Sequence, residues 1–231
     1  WRRHRISREH EEFIPKLFRT PILSIVMRSV VAIDGPAGSG KSTVARNLAK
    51  DLGWSFLDTG AMYRAVTAWA IRQGCNLDDG DAVGEIAEKC TIETIPLVVI
   101  NGLDVTIAIR EPDVNHGVSV VAAHPRVRRA MVLRQREWAD RQPRGTVVEG
   151  RDIGSVVFPD ATLKVFLTAD LAERERRRHD EGEGSVARRD AIDSSRTESP
   201  LKVDEDAIVI DTTSMSIEEV VGEIKRWLTA R

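Results

Sequence analysis

Eight residues, Gly35-Pro36-Ala37-Gly38-Ser39-Gly40-Lys41-Ser42, constrain the fold of this chain more than any others. They match Gly-x-x-x-x-Gly-Lys-Ser/Thr, a phosphate cradle when it follows a strand and opens a helix. Both flanks comply. Val30-Val31-Ala32-Ile33 is a short continuous apolar run, as in a strand buried on both faces. Behind the loop, Val44, Leu48 and Leu52 recur at helical spacing and Gly53 supplies a stop. Glycines at 35, 38 and 40 let backbone N–H groups approach phosphate oxygens with no Cβ in the way. The helix that starts near Lys41 adds the positive end of its dipole. Lys41 places a cation on the β- and γ-phosphates of a nucleoside triphosphate, and the Ser42 hydroxyl is a ligand for Mg²⁺. Pro36, Ala37, Ser39 and Thr43 complete the expected ATP-binding segment. A glycine turn that only joins a strand to a helix would need none of this chemistry.

The rest of the chain supplies an α/β rhythm with one interruption. Phe56-Leu57 reads as a second strand leading into Asp58-Thr59-Gly60, and Tyr63–Arg72 as a helix ending near Gly74. From about residue 76 to 145 the pattern changes. There Asn101-Gly102, within Val98–Thr106, marks a tight hairpin, and Pro125 opens a helix through Trp138 with Val127, Met131 and Trp138 on one side. This stretch reads as an insertion of a small sheet and helices. Val147-Val148 and Val165-Phe166-Leu167 then resume the strands, Ala172–His179 is a very basic helix, and Ile208-Val209-Ile210 is a last strand. Ser216 and Glu219 form a capping box for a final helix with Ile217, Val220, Val221, Ile224, Trp227 and Leu228 as its apolar face. Strands alternating with helices imply a parallel sheet covered on both faces.

At 231 residues the chain suits one compact unit with small insertions, and it buries enough core to need no disulfide or structural metal. A net charge of -2 argues against a dedicated nucleic-acid or membrane-surface binder. Cys75 and Cys90 sit at no metal-ligand spacing and read as reduced thiols of a cytosolic protein. No apolar run approaches the ~20 residues a membrane span requires. Residues 1–27 mix charges with apolar pieces broken by Pro15 and Pro21, lack a signal-peptide centre, and read as a leader of no assigned function before Met27.

A phosphate cradle serves both enzymes and GTP-driven switches. A switch also carries Asn-Lys-x-Asp to read guanine, and this chain has none; Asp58 is followed by Thr-Gly-Ala rather than a switch motif. A small-substrate kinase fits better. Arg174, Arg176, Arg177 and Arg178 crowd one helix, and Arg188, Arg189 and Arg196 follow a glycine-containing link. Such runs are commonly solvated surface. Beside a P-loop they suit a closing flap, because phosphoryl transfer depends on positioning and on neutralising charge.

Four ordered blocks now become informative together. Ala32–Ser42, Leu57-Asp58-Thr59-Gly60-Ala61-Met62-Tyr63-Arg64, Glu149-Gly150-Arg151-Asp152-Ile153-Gly154 and Val156–Ala161 closely resemble bacterial cytidylate (CMP) kinases, and the likeness continues through Asp190–Arg196. The resemblance implies transfer of a phosphoryl group from ATP to CMP or dCMP with Mg²⁺, by a cytoplasmic monomer. It implies a P-loop core (28–62, 146–171 and 200–231) with a five-stranded parallel sheet, a nucleoside-monophosphate-binding insertion at 63–145 and a short lid at 172–199. Thr59, Arg64, Arg151 and Arg196 would hold the acceptor phosphate, Ser119, Arg128 and Asp152 the cytosine, and Arg189 and Asp193 the sugar. Lys41, Arg151, Arg174 and Arg178 would stabilise the moving phosphoryl group.

Asp152 makes independent sense, since a carboxylate accepts from the cytosine N4 amino group and repels the carbonyl of uracil. The bland alternative has Asp152 capping a helix or pairing with Arg151. No general base is required, because the acceptor phosphate is already anionic. One departure stands out: the family has a longer stretch between the basic helix and Asp190, where this chain has only Asp180–Ala187. Another small-molecule kinase, or a nucleotide-binding module without activity, stays open at this point.

Overall fold

The computed structural model describes residues 29–179, 184–196, 199 and 201–230. The leader at 1–27 and the link at 180–183 lie outside the described residues.

Five strands form the main sheet: β1 (Val30–Asp34), β2 (Ser55–Asp58), β6 (Thr146–Glu149), β7 (Leu163–Thr168) and β8 (Ile208–Asp211). Their order is β2-β6-β1-β7-β8 and every pairing is parallel. The alternation of side chains assigns the two faces of this sheet. Val31, Ile33, Phe56 and Val147 join one apolar cluster with Val44 and Leu48 of α1 (Lys41–Leu52) and Val220, Val221 and Ile224 of α8 (Ile217–Thr229). Ala32, Leu57 and Val148 face the other way. They join the cluster built by α2 (Thr59–Arg72), α3 (Gly80–Lys89), α4 (Pro112–Val121) and α5 (Pro125–Asp140).

The interruption expected after residue 76 is a three-stranded sheet of β3 (Ile92–Glu93), β4 (Val99–Ile100) and β5 (Leu103–Asp104) packed with these helices. Asn101 and Gly102 turn the β4–β5 hairpin with φ of 50° and 78°, both in the left-handed region that an Asn-Gly pair tolerates. Between β7 and β8 lie α6 (Leu171–Arg177) and α7 (Ser185–Ser195).

Three boundaries and one face differ from the sequence reading. The helix expected from Tyr63 starts at Thr59, because the Asp58 carboxylate accepts the N–H of Ala61 at 2.8 Å and caps a Thr-Gly turn of low propensity. The basic helix ends at Arg177 rather than His179, and α5 runs two residues past Trp138. The capping box of α8 is present, but Ile217 and Trp227 are 39% and 44% exposed. Both lie at the margins of the stripe, and the Trp227 indole N–H instead donates to Glu223 at 2.9 Å.

Gly35 leaves β1 with φ of +148°, and a Cβ there would stand 2.1 Å from the carbonyl oxygen of Leu167 in β7. Strand separation is the only relief for a backbone–backbone clash. Gly35→Ala is therefore expected to lose roughly 1–3 kcal/mol. In a chain of this size that corresponds to a fall of about 2–12 °C in thermal midpoint, read by calorimetry; an unchanged midpoint contradicts this packing.

Candidate active site

The carboxyl ends of parallel strands are where an open α/β sheet binds ligands. β1, β2 and β6 end here in Asp34, Asp58 and Glu149, and Ile33 and Asp58 flank Glu149 in the register. Beyond these ends opens a cavity of about 780 Å³.

One side of the cavity is the loop before α1. Gly40 enters the helix with φ of 88°, and no side chain caps the helix, the arrangement in which the first N–H groups of a helix can take an anion. Lys41 is buried, and its ammonium donates to the Pro36 carbonyl at 2.7 Å, as does the Ser39 hydroxyl at 3.0 Å. Burial, and then repulsion from Arg151, push the Lys41 pKa down to about 7. The Ser42 hydroxyl donates to Glu149 Oε1 at 2.7 Å. Burial and the nearby Asp58 charge push Glu149 up to about 7. Ala37, Lys41, Ser42 and Thr43 line the cavity, while Gly35 is held beneath the loop by β7.

The segment after the last strand and the helix α6 brace this loop from behind. After β8, the Thr212 hydroxyl lies 3.1 Å from the Ser39 carbonyl and 3.0 Å from that of Thr168. Arg177 donates to the carbonyls of Thr212 at 2.8 Å and Gly38 at 3.4 Å. Arg174 does not line the cavity: it donates to the carbonyls of Ala169 at 2.9 Å and Ala37 at 3.2 Å and pairs with Asp190. Asp190 also accepts the Ala37 N–H at 3.2 Å. Arg178 and Arg189 do line the cavity.

The opposite wall collects the residues that the sequence reading assigned to an acceptor. The Thr59 hydroxyl donates to the Glu149 carbonyl at 2.7 Å, and Arg64 is oriented by the Ile109 carbonyl at 3.1 Å and by the side chain of Asn115. Asp193 bridges two arginines, accepting from Arg151 Nε at 2.7 Å and from Arg196. Burial alone would raise the Asp193 pKa, but Arg151 and Arg196 outweigh it and hold the carboxyl below its ordinary value. Ser119 is buried on the same wall.

Asp152 pairs with Arg128 in a buried ion pair, and Arg128 also donates to the Ala122 carbonyl at 3.3 Å. Burial raises the Asp152 pKa against the pull of Arg128. Neither bland alternative for Asp152 describes this geometry: its side chain caps nothing at the following π-helical turn, Ile153–Val157, and Arg151 pairs with Asp193 instead.

Several site residues carried no assigned role in the sequence. Glu149 and Asp34 were legible in principle, since each ends an apolar strand beside the loop or a motif block. Asn115 carried no local signal, and Arg177 and Asp190 were marked only as members of the basic helix and of the Asp190–Arg196 block; the docking of α4, α6 and α7 brings them in.

The cytidylate kinase family model matches residues 31–229. The cytidylate kinase of Shouchella clausii is 47% identical over 211 residues, covering 84% of this chain and 93% of the relative. That of Solibacter usitatus is 47% identical over 219 residues, covering 88% and 94%, and that of a Geobacillus species 48% over 218 residues, covering 87% and 96%. By this similarity the chain belongs to the cytidylate kinase family.

Proposed function

We propose that this protein transfers the γ-phosphoryl group of ATP to CMP or dCMP, giving ADP and CDP or dCDP. The observation that carries the reading is that Lys41 of the donor loop and Asp152 of the opposite wall line the same cavity, with Arg64, Arg151 and Arg196 between. The P-loop N–H groups and Lys41 take the triphosphate. The Thr59 hydroxyl and the three arginines take the acceptor phosphate. Ser119 and the Arg128–Asp152 pair take the base, and Arg189 and Asp193 the sugar. No side chain needs to remove a proton, since the acceptor phosphate oxygen is already anionic and attacks once it is aligned and its charge is offset. Catalysis then rests on alignment and charge neutralisation by Lys41, Arg151 and Arg178. For Arg174 this role requires release from Asp190.

Ser42 and Glu149 fit Mg²⁺, a hard cation that takes hydroxyl and carboxylate oxygens. Among the described residues no group of three or more His, Cys, Asp or Glu could hold a metal alone, so phosphates and water would complete its shell. When bound, Mg²⁺ supplies charge neutralisation between the β- and γ-phosphates. Glu149→Gln is expected to raise the Mg²⁺ concentration for half-maximal rate by roughly 10- to 100-fold, read by metal titration at saturating ATP. An unchanged titration curve removes Glu149 from the metal site.

The same reading divides the chain into the core, an acceptor-binding segment at 63–145 and a lid at 172–199. It also makes the protein a cytoplasmic monomer that acts on small molecules rather than nucleic acid or membrane. Among the described residues no helix is long and apolar enough to cross a membrane. A coupled assay with ATP, Mg²⁺ and each nucleoside monophosphate tests the substrate: CMP and dCMP should be preferred by orders of magnitude, and equal or faster turnover of AMP or UMP refutes the reading.

A further inference from the structure

Asp34 is the last residue of β1 and stands immediately before Gly35 of the phosphate loop. Its side chain is buried, and the residue is not among those lining the cavity. Both carboxylate oxygens are nevertheless committed. Oδ1 accepts the N–H of Ile153 and Oδ2 the N–H of Gly154, each at 2.8 Å. These are the first two N–H groups after Asp152. The near end of the same segment is held as well, because the Gly150 N–H donates to the Ile33 carbonyl at 3.0 Å.

The turn that carries Arg151 and Asp152 is thus fastened on both sides to the end of β1. Asp152 has φ of -147° and ψ of 28°, outside the regular helix and strand regions, and the two bonds to Asp34 fix the backbone immediately after it. Hydrogen bonds from N–H groups to a carboxylate are about twice as strong as neutral ones. Burial drives the Asp34 pKa up to about 6, and the Asp152 charge adds to the rise, while the two N–H groups and Lys41 oppose it. A buried carboxylate outside the cavity lining is costly to retain, and these two bonds are what it provides.

We propose that Asp34 is the positioning residue for base recognition: its carboxylate holds the Arg151–Asp152 turn in the orientation that reads cytosine and ties it to the donor loop. This rests on Asp152 being the reader of the base. Asp34→Asn nearly preserves the shape, but an amide accepts only one of the two N–H groups and turns a donor towards the other. The expected result is a KM for CMP raised roughly 10- to 100-fold, with the CMP:UMP ratio of kcat/KM falling by a similar factor. The KM for ATP should change less than about twofold, because the P-loop amides are untouched.

A merely structural role would instead weaken ATP and CMP together and leave the base preference intact, and that outcome overturns the proposal. Should Asp34→Asn fail to fold, Asp34→Glu keeps the charge but displaces the carboxylate by a methylene. It must show the same CMP-selective shift, and wild-type selectivity in that variant also overturns the proposal. A wild-type enzyme inactive on CMP refutes the assigned function, whereas an active wild type with an indifferent Asp34→Asn refutes only the role of Asp34.

Discussion

Lys41→Ala is expected to lower turnover by roughly 100- to 1,000-fold while leaving the fold intact. The ammonium is the only cation that the phosphate loop itself contributes, and it is buried, where charge interactions are stronger than in bulk water. Binding of ATP falls less than turnover, since the backbone N–H groups of the loop and helix remain. The stability argument follows from the direction of the pKa. Burial and Arg151 depress the Lys41 ammonium from 10.5 to about 7, so the charged form is disfavoured in the folded state. That penalty is fully present below about pH 7 and fades as pH rises towards 10.5. Alanine removes the penalty along with one hydrogen bond to Pro36, so the thermal midpoint at pH 7 should move by only a few degrees. Single-turnover kinetics and calorimetry on the same preparation check both halves. Near-normal turnover would mean that Lys41 does not meet the transferring group.

The second large effect concerns Asp152. Truncation to alanine would strand Arg128 as a buried unpaired charge, which costs about 3–5 kcal/mol and confounds the result. Asparagine avoids this, because its carbonyl oxygen still accepts from Arg128 while its amide N–H₂ faces the base. That amide repels the N4 amino group of cytosine and suits the O4 of uracil. The kcat/KM for CMP should fall and that for UMP rise, moving their ratio by roughly two orders of magnitude or more. Competition between CMP and UMP in one reaction mixture measures the ratio directly. A variant that retains the wild-type ratio assigns base reading elsewhere.

How much of this was legible in the chain depended on the range of the interaction. The phosphate loop, its strand and its helix were readable because glycine spacing and a following helix are local chemistry, contained in residues 30–53. The Asn101-Gly102 hairpin and the Ser216–Glu219 capping box were readable for the same reason. The first turn of α2 was hidden, since Thr59-Gly60 has poor helix propensity and only the Asp58 cap sustains it. Pairings between distant elements left no trace in spacing. Arg128 and Asp152 come from α5 and from the turn after β6, and Asp193 of α7 reaches back to Arg151. Arg174 illustrates the limit most clearly. Its place on a basic helix suggested contact with phosphate, whereas in the structure it grips backbone carbonyls and Asp190.

The Thr212 contact with Ser39 spans 173 positions of the chain. Synthesis runs from the N-terminus, so the donor loop leaves the ribosome long before the residue that braces it. β1 cannot take its central place until β6 and β7 have arrived on either side, and Thr212 follows only after β8. The nascent polypeptide therefore displays the glycine-rich loop well before the residue that braces it is made. If the loop binds ATP as proposed, that affinity should appear only once β8 and Thr212 have been synthesised and have docked, not when the loop itself emerges.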